Sequence, residues 1–310
     1  MTNSPLSKKP LSNLSASVHQ RLMTLARASG DDANVILSRY ATERLLYRLA
    51  QSPHANQFVL KGAVMFLVWT KNMYRPTMDL DLLGFGEDSA ERIEQVFRDC
   101  CDLQPEPDGL IFDAKSVTAT LIREGQEYQG KRVTLLSFLG KARIPVQVDI
   151  GFGDVISPRP DHIVFPTLLD FPAPEIRATT RETVVAEKFH AMAVLGIANS
   201  RMKDFSDIWT LAQHFDFDGR ALAEAIAATF LRRKTTLPSE APLALTTAFA
   251  GDRQKQVQWN AFQRKGRLPP MPLPDVIASL GVFLLPVLAQ ARSTPTGNMR
   301  WGKGGPWLAS

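Results

Sequence analysis

Cysteine is almost missing from this sequence. The 310 residues contain two, Cys100 and Cys101, and these are adjacent. Neighbours in sequence rarely meet the geometry of an ordinary disulfide. No Cys-x-x-Cys and no Cys/His ligand spacing occurs, which argues against structural zinc and for a reducing compartment. Long apolar runs are missing too. The longest uncharged one, VIASLGVFLLPVLAQA over residues 276–291, is interrupted by Pro286. It falls short of the roughly 20 residues that a spanning helix needs, and we read it as a buried helix. The first residues, MTNSPLSKKPLSNLSAS, have no apolar stretch of the kind a signal peptide carries. We therefore expect a soluble, cytoplasmic protein with no membrane partner. Neither a Gly-x-x-x-x-Gly-Lys-[Ser/Thr] loop nor a Ser-His-Asp or Cys-His arrangement is discernible.

What is present is an ordinary globular mixture, 45% hydrophobic and 22% charged. The length suits one large domain or two ordinary ones. The net charge is +5 with a pI near 9.3, which is compatible with a polyanionic partner without requiring one. Lys and Arg concentrate in GKRVTLLSFLGKAR (130–143) and GDRQKQVQWNAFQRKGR (251–267), the second with Trp259 and Phe262 interleaved. Aromatics beside cations can stack bases while the cations hold phosphates. The same pattern also describes a solvated helix face with two core aromatics.

Periodicity predicts helices over much of 14–52, a strand at QFVLKG, and a buried helix in AVMFLVWTKN. A strand follows at MDLDLLGF, then an amphipathic helix in EDSAERIEQVFRDC, then strands between about 110 and 150. Helices follow in RETVVAEKFHAMAVLG, SRMKDFSDIWTLAQHF and GRALAEAIAATFLRRK. The expected fold class is α+β, a small mixed-sheet core with a helical N-terminal cap and a helical C-terminal half. The expected division is a flexible N-terminus at 1–13, cap and core at 14–156, and a proline-rich connection at 157–175. A helical domain at 176–291 and a disordered tail at 292–310 complete it.

The chemistry concentrates around RPTMDLDLLG, residues 75–84. In a strand, alternate side chains share a face, so Asp79 and Asp81 would stand together opposite Leu80 and Leu82. Two such carboxylates repel unless water or a cation intervenes. This is either a half-buried strand with a solvated face or a divalent metal site. In VQVDIGFGD (146–154), Asp149 falls on the polar face of a second alternating strand, as a third carboxylate or an exposed strand end. LKGAV (60–64) places Lys61, Gly62 and Ala63 at a strand-to-helix turn, where backbone N–H groups can meet phosphate. Lys188 lies mid-helix in apolar company and needs an anionic partner or a ligand. Asp204 and Asp207 share a helix face near Arg201 and Lys203; dipole compensation and a surface salt bridge would also explain them. His190 reads as a core or supporting histidine.

The ordered series LKGA, RPTMDLDLLG, GKRV with IPVQVDIGFGD, VVAEKFHAM and NSRMKDFSDIWTL resembles the AbiEii/AbiGii-type nucleotidyltransferase toxins. These are a branch of the polymerase-β-like nucleotidyltransferase superfamily, and the likeness spans about residues 15–290. The resemblance implies a nucleotidyltransferase core with metal held by Asp79 and Asp81, and with Asp149 as a third carboxylate. It implies two Mg²⁺ ions and an NTP substrate cradled at Lys61, Gly62 and Ala63, with Thr77, Lys203 and Asp207 completing the nucleotide set. Lys188 and Asp204 would be the helical residues on which activity depends. The acceptor would be RNA, typically the 3′ end of a tRNA, and the partner an antitoxin that is a DNA-binding repressor. One departure stands out: the family turn usually reads Gly-Ser or Gly-Gly, whereas Ala63 lacks a hydroxyl for phosphate. The rival readings are a metal-dependent nuclease or phosphodiesterase, and a non-catalytic RNA- or protein-binding module on the same fold.

Overall fold

A computed structural model describes residues 13–70, 79–122, 130–266, 268–293 and 297–309. The fold is α+β. Seven strands form a mixed sheet in the order β3-β4-β5-β2-β1-β7-β6, and three more form a small antiparallel sheet. In chain order these are β1 (Phe58–Lys61), β2 (Leu80–Gly84), β3 (Leu110–Ile122), β4 (Gly130–Leu139), β5 (Ala142–Phe152), β6 (Asp161–Val164), β7 (Glu175–Ala178), β8 (Phe217–Asp218), β9 (Met299–Trp301) and β10 (Trp307–Ala309). The chain divides into two compact units, each assembled from three segments. The first takes residues 1–58, 78–152 and 163–176; the second takes 59–77, 153–162 and 177–310.

The first unit contains helices α1 (Leu14–Ser29) and α2 (Ala33–Gln51). Each starts on a polar cap: Asn13 accepts from the Ala16 N–H and Asp32 from the Asn34 N–H. Gly30 ends α1 with φ of 72°, a left-handed position that suits glycine. The first two of the long strands meet β5 in an antiparallel meander, with β3 against β4 and β4 against β5. The turn between β4 and β5 needs a positive φ at Gly140. β2 then adds to β5 in parallel. Ile144, Val146, Val148 and Ile150 alternate into the core, against which α2 packs. The remaining apolar faces of the meander meet the helix Ala90–Asp102, which buries Ile93, Val96, Phe97 and both cysteines. Burial pushes both thiols up to about 12, which keeps them protonated. A buried pair, Arg48 to Asp108 at 2.7 Å, ties α2 to the start of β3.

In the second unit, β1 pairs in parallel with β7 through Leu60 and Ala178. Of the apolar segment after Gly62, Met65–Thr70 is helical (α3), and residues 71–78 lie outside the described residues. The helix Ala90–Asp102 above is α4, and the helices of the second unit continue from α5 (Arg181–Leu195) and α6 (Met202–His214). They are followed by α7 (Gly219–Arg232), α8 (Thr247–Gly251), α9 (Arg253–Gly266) and α10 (Leu273–Arg292). One core gathers their apolar faces, including Phe189, Phe205, Phe230, Phe249 and Phe283. Among the described residues α10 alone is long and apolar enough to cross a membrane, yet Val276, Leu280, Phe283, Leu284 and Val287 are fully buried in that core. The helix also runs on through Pro286.

The connection at 157–175 carries the strand β6 and the first residue of β7. The tail is also more ordered than its Gly, Ser, Thr and Pro content suggested. β9 and β10 pair with each other, and β9 pairs with β8. The reason is two tryptophans. Trp301 donates its indole N–H to the Ala212 carbonyl at 2.7 Å, and Trp307 donates to the Phe283 carbonyl at 2.9 Å. Trp307 also stacks on Phe283 with ring centroids 5.7 Å apart. Burying large aromatics with their polar atoms satisfied offsets the entropy of ordering a polar tail.

Candidate nucleotidyltransferase site

In the first unit the acidic pair lies where strand alternation puts it. Leu80, Leu82 and Leu83 are buried, Asp81 is half-buried, and Asp79, just before β2, is exposed. The parallel register sets Asp81 directly beside Asp149 of β5. On the other side of Asp149, β4 presents Arg132 in register. Arg132 grips Asp149 with two parallel bonds, Nε to Oδ1 at 2.8 Å and Nη2 to Oδ2 at 2.7 Å. One row across three strands therefore reads Arg132, Asp149, Asp81. Gln147, two residues before Asp149, donates to Asp79 Oδ1 at 3.0 Å. Sequence reading noticed the basic GKRV stretch but did not assign Arg132 as the partner of Asp149. The alternation of both strands held that signal, but the register that joins them was not legible.

Magnesium takes one or two carboxylates and completes its shell with water and phosphate oxygens. Asp79 and Asp81 form a hard-oxygen pair with solvent access, so these donors fit. Among the described residues no group of three or more His, Cys, Asp or Glu is arranged to hold a metal ion. Thr77 lies outside the described residues.

In the second unit the lysines singled out by sequence are already paired. Lys61 ends β1, and Gly62 follows with φ of 79°, a left-handed position where a side chain is strained. The Lys61 ammonium bonds Glu187 at 2.9 Å and Asp154 at 3.1 Å. Burial alone would lower its pKa, but Glu187 and Asp154 more than offset that and raise it. Asp154 also meets Arg233 at 3.3 Å. Burial would raise its carboxyl pKa, but Lys61 and Arg233 hold it below the usual range.

The next residue on α5 after Glu187 opens a second cluster. Lys188 bonds Asp204 at 2.7 Å and Asp207 at 2.9 Å, and Arg201 meets the other oxygen of Asp204 at 2.8 Å. Asp204 is fully buried, so it belongs to a buried cluster and not to a surface salt bridge. Burial would lower the Lys188 pKa, but Asp207 and Asp204 raise it. Consecutive helical residues point about 100° apart, which is how Glu187 and Lys188 serve two separate clusters. Lys203 is exposed and stands outside both. Asp154, Glu187 and Arg233 escaped sequence reading. Glu187 carried a signal, as a charge beside Lys188 on an apolar helix.

The chain matches the family model described as nucleotidyl transferase AbiEii toxin, type IV toxin–antitoxin system, over residues 44–279. The chain belongs to the AbiEii family. Membership makes it a nucleotidyltransferase of a type IV toxin–antitoxin system and implies a cognate antitoxin. Two solved structures are similar to this AbiEii chain in fold. A candidate nucleotidyltransferase from H. pylori is 14% identical with a TM-score of 0.44, covering 91% of this chain and 98% of its own. JHP933 from Helicobacter pylori is 15% identical with a TM-score of 0.42, covering 91% and 95%. No curated protein matches.

His190 gives the second unit a sensitivity to acid. Arg233 only donates, so its contact with Nδ1 at 3.2 Å makes that nitrogen the acceptor. Nε2 therefore carries the proton and donates to Thr235 Oγ1 at 2.8 Å. Burial, and then the Arg233 charge, push His190 down to about 4. Its folded pKa is below the unfolded value near 6.5, so protons favour the unfolded chain. The stability it confers is complete above about pH 6.5 and is lost as pH falls towards about 4. Urea unfolding of wild type and His190→Asn should show wild type losing up to about 3 kcal/mol relative to the variant across that window.

Proposed function

We propose that this chain is a magnesium-dependent nucleotidyltransferase toxin that moves a nucleoside monophosphate from an NTP to RNA. The acceptor is the 3′ end of a tRNA, the consequence is blocked translation, and the setting is the cytoplasm. The observation that carries the reading is Asp81 of the Asp-x-Asp set beside Asp149 in register, in a chain of this family. The cognate antitoxin in this reading is a DNA-binding repressor.

In the reaction the terminal ribose hydroxyl oxygen bonds to the α-phosphorus, the bond to the bridging oxygen breaks, and pyrophosphate leaves. Asp79 and Asp81 would hold the magnesium. When bound, the metal stabilises charge on the phosphoryl oxygens and makes the hydroxyl more acidic. Asp149 already accepts twice from Arg132, which favours a role in orienting the hydroxyl over a place in the metal shell. Gln147 fixes the Asp79 carboxylate. Taken by itself, the second unit carries at Lys61, Gly62 and Ala63 a turn whose backbone suits phosphate. With no hydroxyl on Ala63, that recognition rests on N–H groups. Lys203, exposed at the start of α6, neutralises the leaving pyrophosphate. Asp207 and Asp204 hold Lys188, so Lys188 reaches a phosphate only by exchanging a carboxylate for it.

The test is to sequence RNA 3′ ends after incubating the protein with total RNA, Mg²⁺ and each NTP in turn. One or a few added nucleotides on tRNA ends are expected. Unextended ends with every NTP, or RNA fragments released without NTP, would overturn the reading.

A further inference from the structure

The charge of α9 plays no part in the proposed chemistry. The helix has 14 residues, with Arg253, Lys255, Arg264 and Lys265 and no Asp or Glu. Not all of this charge faces water. Lys255 is buried, and its ammonium donates to the Asn199 carbonyl at 2.9 Å and to Gln258 Oε1 at 3.3 Å. The aromatics are committed as well. Trp259 is 2% exposed and donates its indole N–H to the Met271 carbonyl at 2.7 Å. Phe262 packs against the same core.

What remains on the solvent side is polar and cationic around one exposed apolar residue, Val257, which lies on the same stripe as Arg253 and Arg264, with Ala261 beside it. Arg253, Asn260 and Arg264 fall on one stripe, seven and eleven residues apart, with Lys265, Gln254 and Gln256 flanking it, all exposed. The stripe runs about 16 Å along the helix. Among the described residues, Arg253, Arg264 and Lys265 have no carboxylate partner. The nearest acid in sequence, Asp252, caps the helix by accepting from the Lys255 N–H at 2.9 Å. The Lys255–Asn199 bond also pins the first turn of α9 to the segment that leads into α6, where Arg201 and Lys203 are exposed.

We propose that the solvent face of α9 docks the phosphate backbone of the RNA acceptor. This rests on the reading of RNA as substrate. Exposed cations interspersed with amides suit phosphates and sugars. With Trp259 and Phe262 in the core, no aromatic on this helix is left to stack a base. Binding through it is therefore tolerant of sequence and strongly dependent on salt.

The experiment measures binding of a labelled tRNA-sized transcript by fluorescence anisotropy between 50 and 200 mM salt. It uses EDTA, no NTP, and the full chain carrying Asp81→Asn, so the result does not depend on transfer. The comparison adds Arg253→Gln, Arg264→Gln and Lys265→Gln together. These positions are exposed on a helix that glutamine tolerates, and circular dichroism checks the fold. The slope of log affinity against log salt should become shallower by about 2–3, from about 0.7–0.9 per lost charge. Arg253→Lys with Arg264→Lys should keep the original slope. An unchanged slope in the triple variant, or no binding at 50 mM salt by the parent, would overturn the proposal. Nucleotide incorporation together with an unchanged slope would remove the docking surface and leave the transferase reading intact.

Discussion

Replacing Lys188 with methionine is expected to destabilise the second unit by about 3–5 kcal/mol, the usual cost of removing one partner from a buried ion cluster. Lys188 bonds two carboxylates, and these are 0% and 4% exposed. Without it, Asp204 keeps Arg201, whose side chain is 46% exposed, and Asp207 loses an ammonium at 2.9 Å. Adding Asp207→Leu to Lys188→Met removes one anion with the cation and should recover part of the loss, a non-additivity that a double-mutant cycle reads directly. With stabilities of about 5–15 kcal/mol typical, the single variant should be visibly weakened in urea unfolding. A change under about 1 kcal/mol would mean that the cluster is far more hydrated than its burial indicates.

The carboxylates and their strands were legible in the sequence because a period of two needs only local information. Met78, Leu80 and Leu82 against Asp79 and Asp81 define two faces whatever else the chain does. The helices of the second unit were legible for the same reason. Pairing was not legible. That Asp81 stands beside Asp149, and Asp149 beside Arg132, depends on registers between segments far apart in sequence. Lys188 shows the same limit. Burial in apolar company demanded an anion, and Asp204 and Asp207 were already in view, but only packing of α5 against α6 joins them. The basic stretch at 251–267 divided along the line that helical periodicity draws: Trp259 and Lys255 turned inward, while Arg253 and Arg264 turned outward. In the tail, averaged composition hid two tryptophans, whose indole N–H groups both bond to carbonyls of the helical core.

The two kinds of charged residue differ in what they do for the fold. Lys61, Lys188 and their partners form clusters in which cations and anions balance, so removing a member unbalances a buried group. Asp81 instead stands in register with Asp149 of the neighbouring strand, whose charge Arg132 offsets through two bonds.

That contrast shapes the expected result for Asp81→Asn. Asparagine keeps the shape and hydrogen-bonding capacity of the side chain while removing its charge. Transfer of labelled NMP to RNA should fall at least about a thousandfold, because a neutral amide cannot hold the metal charge on which phosphoryl transfer depends. Stability should change by less than about 1 kcal/mol, since the substitution keeps the shape of a half-buried side chain. Asp149→Asn should behave differently: it weakens the two charge-assisted bonds that Arg132 makes at 2.8 and 2.7 Å, and so should lower stability as well as activity. Nucleotide incorporation and urea unfolding, measured on the same preparations, separate the two. Full incorporation by Asp81→Asn would sink the metal assignment. Lost activity with a matching loss of stability would make Asp81 a structural residue, and the case for its chemistry would have to rest on Asp79 alone.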